Sequence, residues 1–91
     1  MNKNECKKYI KKAFNSIEAQ NKPITIHNLE KLMKYKINRE TELYIAYSKI
    51  ALYTLLNSGT GVNLENLFKE LEVIPKIYNE IDAIKAAEKL S

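Results

Sequence analysis

Acid–base, nucleophilic and metal chemistry each need several polar side chains brought to one point. The chain offers few residues of those types. It has one histidine, His27, and one cysteine, Cys6. A lone imidazole with no second His, Cys or Asp spaced to join it lacks the set that acid–base or metal work requires. Cys6 falls on an apolar stripe, where a thiol usually behaves as a small hydrophobe. The neighbouring Lys7 and Lys8 would favour a thiolate, but nothing nearby would orient it as a nucleophile. Both glycines lie in Ser58-Gly59-Thr60-Gly61. A phosphate loop would run from a strand into a helix and carry Gly-Lys-Ser or Gly-Lys-Thr. Here the loop leaves a helix and holds no lysine. Glu70 and Glu72, like Glu80 and Asp82, are two apart and point to different sides of a helix. No catalytic residue, metal ligand, cofactor or small-molecule substrate is inferred, and a non-enzymatic role is expected.

The lysines are more informative. Residues 1–39 carry nine Lys and Arg39 against Glu5, Glu18 and Glu30, a net +7, whereas residues 40–91 carry five Lys against seven Glu and Asp82, a net −3. Such asymmetry marks a face suited to nucleic acid or another anionic partner. Lys7, Lys8, Lys11 and Lys12 lie off the apolar stripe of the first helix. With Lys3, Lys22, Lys31, Lys34 and Lys36 they would form one patch if the first two helices pack side by side. Tyr35 sits among these cations, where an aromatic ring can stack on unpaired bases. Lysines of this kind give affinity and salt sensitivity without sequence specificity. A solvated lysine face serves solubility equally well, and Lys, Asn, Ile and Tyr are all residues with AT-rich codons.

Those side chains need elements to position them, and five helical segments can be read. Apolar residues at spacings of three and four define one helix over about 4–20 (Cys6, Tyr9, Ile10, Ala13, Phe14, Ile17), capped by Asn2 or Asn4 and stopped by Asn21-Lys22-Pro23. A second spans about 26–36, capped by Thr25, with Ile24 and Leu29 at the spacing of a hydrophobic staple and Ile37 following its buried face. The third, about 39–57, is capped by Asn38 and ends before Gly59. It is apolar nearly all round and is expected to be the centre of the core. A fourth covers about 64–72 with Asn63 as cap. The fifth starts near Pro75, because proline suits the first helical turn. Ile24-Thr25-Ile26-His27-Asn28-Leu29-Glu30-Lys31 echoes Val62-Asn63-Leu64-Glu65-Asn66-Leu67-Phe68-Lys69 at an offset of 38; the shared part is mostly cap and staple.

The fold expected is therefore all-α, a bundle of four to five helices around 39–57 forming a single domain over 1–91. Helices 26–36 and 39–57 also read as a helix-turn-helix-like unit, in which Arg39 and Thr41 would approach base edges. Glu40 and Glu42 oppose that use, and the helix behind them is greasy. Tyr44, Tyr47 and Tyr53 on the third helix are candidate protein-interface residues, since tyrosine is enriched at interfaces, and a homodimer is an open option. No apolar run approaches the roughly 18 residues of a membrane span. No signal-peptide core is seen at the N-terminus, and one cysteine makes no intrachain disulfide; a cytoplasmic protein is expected. The short, lysine-rich, helical profile is similar to phage and plasmid accessory proteins and to the small helical-bundle immunity proteins of bacteriocin producers. No residue role carries over from either group. Two functions compete: a nucleic-acid-binding accessory or regulatory protein, and a protein-interaction module of inhibitor or immunity type.

Overall fold

Five short polar side chains start the five helices. In the computed structural model, which describes residues 2–34 and 38–90, these helices are α1 (Lys3–Ala19), α2 (Ile26–Met33), α3 (Arg39–Ser58), α4 (Leu64–Ile77) and α5 (Glu80–Glu88). The cap residues are Asn2, Thr25, Asn38, Asn63 and Asn79, and each side-chain oxygen accepts from the backbone N–H three residues on. Each such bond satisfies one of the donors a helix leaves free in its first turn. Asn38 and Thr41 do this reciprocally, with bonds of 3.0 and 2.8 Å.

The sequence echo has a physical basis. Asn28 donates its side-chain N–H to the Pro23 carbonyl at 2.9 Å, and Asn66 donates to the Gly61 carbonyl at 2.8 Å. Both pairs are offset by 38, so α2 and α4 open with the same clasp between the third helical residue and the incoming chain.

Helix ends differ from the sequence reading in three places. α1 stops because Asn21 takes a left-handed conformation (φ 54°). Its N–H then reaches the Glu18 carbonyl and that of Lys22 reaches the Ile17 carbonyl, a Schellman closure with Asn in the role usually given to glycine. Pro23 only follows. The second correction concerns Pro75, which lies inside α4 near its end and does not open the fifth helix. There it removes the bond its missing N–H would have made to the Leu71 carbonyl and crowds that carbonyl, and the helix ends two residues later. The fifth helix begins instead at Glu80, behind the Asn79 cap. α2 ends at Met33 with Lys34 as its cap; Tyr35, Lys36 and Ile37 lie outside the described residues.

α3 is the centre, as its pattern requires. It packs against each of the other four helices, and every residue from Leu43 to Leu52 is buried. Around it sit Cys6, Ile10, Phe14 and Ile17 of α1, Leu29 and Met33 of α2, Leu67, Leu71 and Ile74 of α4, and Ala83 and Ala87 of α5. Each fully buried Leu, Ile or Met contributes about 1.5–3 kcal/mol. Among the described residues, no helix is long and apolar enough to cross a membrane, and no buried polar side-chain atom lacks a hydrogen-bond partner.

Candidate nucleic-acid interface

The fold ties some of the lysines to carboxylates. Lys3 and Lys7 on α1 both reach Glu72 of α4, at 3.0 and 3.1 Å, and Lys7 also lies 5.7 Å from the centre of the Phe68 ring. Hydrogen bonds from Lys3 and Lys7, with their charges, hold the Glu72 carboxyl below its usual value. Lys34 of α2 and Lys49 of α3 both bond Glu30. Lys7 is thus tied into the α1–α4 contact, whereas Lys34 reaches Glu30 within one turn of its own helix; each carboxylate serves two lysines, so each group keeps one positive charge. Lys8 makes only a 3.5 Å contact with Glu5 on the open surface, and Lys11 is exposed.

The seam between α1 and α2 is different. Two adjoining hollows of about 220 and 180 Å³ run along it and share Leu32. The first is lined by Tyr9, Lys12, Ala13, Ser16 and Leu32. The second is lined by Ile17, Gln20, Lys22, Asn28, Lys31 and Leu32. Three lysines therefore border two shallow hollows with apolar floors, and among the described residues no carboxylate lines either hollow. This follows from the local sequence. α1 turns its stripe of Ile10, Ala13, Phe14 and Ile17 inward, which puts Lys8, Lys11 and Lys12 outward. The left-handed turn at Asn21 then brings the chain back so that α2 lies against α1. The Tyr9 ring is fixed on the core side by Tyr44, with centroids 5.5 Å apart.

No family model matches the chain, and neither a curated protein nor a solved structure is significantly similar to it. The geometry alone therefore carries any functional reading.

Arg39 is exposed at the start of α3, in a hollow it shares with Asn2, Glu40, Leu43, Tyr44 and Glu80. Two carboxylates face it there, and it stands apart from the seam lysines. Behind it α3 is enclosed, and Thr41 itself is buried, so a groove-reading role would have only the exposed Arg39, Glu40 and Glu42 to work with. Tyr35 and Lys36 lie outside the described residues. Tyr44 and Tyr47 are each only 2 % exposed and offer a partner almost no surface. Burial pushes both phenols up, and the Tyr47 hydroxyl donates to the Tyr78 carbonyl at 3.4 Å. Tyr53 is exposed. His27 is on the surface. Cys6 is fully buried, and burial pushes its thiol up to about 12, the opposite of what a nucleophile needs.

Sequence reasoning missed Ser16, Gln20 and Asn28 as walls of the seam. Nothing in residue type marks them, because their place depends on the crossing of α1 and α2. It also gave no sign of the Glu30–Lys49 pair in the α2–α3 contact, where the Lys49 side chain is only 7 % exposed. The one available signal was a lysine in the middle of an otherwise apolar helix, which demands a carboxylate partner.

Proposed function

We propose that the protein is a non-enzymatic nucleic-acid-binding accessory or regulatory protein that holds a phosphate backbone along the α1–α2 seam. The supporting observation is the pair of hollows bordered by Lys12, Lys22 and Lys31 and free of carboxylates among the described residues, with Lys8 and Lys11 exposed on the neighbouring surface of α1. Phosphates there would meet the ammonium groups of Lys22 and Lys31, which make no ion pair among the described residues. Binding of this kind is insensitive to sequence, because lysine presents a point charge rather than the planar fork with which arginine reads a base edge.

The test compares two double variants of equal charge. Lys22→Glu with Lys31→Glu reverses the seam, and Lys76→Glu with Lys85→Glu reverses two exposed lysines on α4 and α5. Each pair lowers the net charge by the same amount. The seam pair is expected to abolish binding to short labelled DNA and RNA at moderate salt, while the distant pair weakens it modestly. Equal losses would show that only overall charge matters and would remove the seam from the account.

A protein-interaction role is favoured by a different surface. Val73 and Ile77 lie four apart on one face of α4, and Ile81 follows in the first turn of α5; Ile77 and Ile81 are 68 % and 63 % exposed. Exposed aliphatic side chains of this size close together are a feature of association surfaces. Retention of a partner by the wild-type chain but not by Ile77→Asp, with nucleic-acid binding absent from both, would select this reading.

A further inference from the structure

We propose that the cavity between α2, α3 and α5 binds a small organic cation, an aliphatic primary amine. It is an open cleft of about 320 Å³, with Ile45, Ala46, Ile84 and Ala87 at its floor and Glu30, Lys34, Glu42, Lys49 and Glu88 around it. That volume is at the lower end of the range for small-molecule sites. The proposal is independent of the nucleic-acid reading, since the cavity and the α1–α2 seam share no lining residue.

The lining charges decide the sign of the ligand. Both ammonium groups, Lys34 and Lys49, are bonded to Glu30. Glu42 and Glu88 make no ion pair among the described residues. Among the described residues, three carboxylates and two lysines line the cavity, one negative charge in excess: the Lys34–Glu30–Lys49 group is itself +1, and Glu42 and Glu88 together are −2. The backbone adds to it on one side. Glu88 is the last residue of α5, where the helix dipole places negative potential and a carboxylate is disfavoured unless a cation is near. Lys85 and Lys89, the basic residues at that end of α5, do not line the cavity. An anionic ligand bonded to Lys34 would also face the carboxylates of Glu42 and Glu88.

The floor decides the body of the ligand. Ile45, Ala46, Ile84 and Ala87 give it an aliphatic surface. A hard metal ion gains nothing from such a floor and needs six or more oxygen ligands or retained waters. A primary alkylammonium supplies three N–H donors for carboxylate oxygens and a chain that loses water against the aliphatic wall.

The experiment follows the methyl resonances of Ile45, Ile84 and Ala87 by NMR during titration with n-pentylammonium chloride, with sodium pentanoate and ammonium chloride titrated separately. Saturable shifts with n-pentylammonium in roughly the millimolar range are expected. Pentanoate should give none, and ammonium should give only the small drift of added salt. Glu42→Gln combined with Glu88→Gln, both on the exposed rim, should keep the helical circular-dichroism spectrum and weaken n-pentylammonium binding by roughly tenfold. Three results would each overturn the proposal: no saturable shift, the same shifts with pentanoate, or undiminished affinity in the double variant.

Discussion

Glu30 is where the charge of the α2–α3 contact converges. Partial burial pushes its carboxyl up, but the hydrogen bonds and charges of Lys49 and Lys34 together outweigh this and hold it below the usual value. A carboxyl with a folded pKa below its unfolded one contributes stability that is present above the unfolded pKa and lost as pH falls through the folded pKa. The wild-type chain is therefore expected to lose stability on acidification through the carboxylate range, and Glu30→Gln should lose less over the same interval in urea denaturation at stepped pH. At neutral pH Glu30→Ala strands Lys49 without its partner and should cost about 3 kcal/mol. Replacing both residues by Leu and Met should recover most of that loss, because a buried ion pair is seldom better than a packed apolar one. A stable Glu30→Ala would mean that Lys49 finds water in this fold. Cys6 supplies an independent check on the core. With its thiol buried and pushed up to about 12, it should resist an aromatic disulfide reagent at pH 8 in the native state and react promptly in urea. Rapid native labelling would contradict the packing of α1 on α3.

At the scale of elements, the helix starts are the part of the fold most readable from sequence. Thr25, Asn38 and Asn63 are short oxygen-bearing residues ahead of apolar segments, and each caps where expected; of the two candidates for the first helix, Asn2 and Asn4, Asn2 is the cap. Asn79 has the same signal, followed three residues on by Asp82, but Pro75 draws attention away from it. Proline is compatible with either end of a helix, so its presence does not say which end it marks. The turn after α1 was legible as a stop but not as a left-handed Asn, because Asn21 and Pro23 both predict an ending there. The paired Asn28 and Asn66 clasps give this scale its prediction. Each secures a helix start through one side-chain bond of 2.8–2.9 Å to the incoming chain. Asn28→Ala and Asn66→Ala should each destabilise by about 1 kcal/mol in denaturant melts, with additive effects in the double variant because the two clasps share no residue. Strong non-additivity would mean that α2 and α4 are coupled through α3.

For the whole molecule, the uneven charge of the two halves was visible in the sequence, but its distribution in space was not. Lys3 and Lys7 meet Glu72 across 69 and 65 residues, a pairing that no local pattern announces, and it removes part of the apparent N-terminal patch. What is left is the carboxylate-free seam with its exposed neighbours on α1. The helical class follows from apolar periodicity, and the central place of residues 39–57 from a helix that is apolar nearly all round. The burial of Tyr44 and Tyr47 does not, because tyrosine suits a rim as well as a core and only the enclosure of α3 from every side decides between them. The most direct test of the central claim is the affinity of the wild-type chain for short single- and double-stranded nucleic acid across a salt series. Contact with three to five phosphates through the seam and its neighbours predicts a slope of log affinity against log salt of roughly −2 to −4.5. The sequence of the strand should have little effect. Absence of binding at low salt, or an affinity that does not change with salt, would contradict the account.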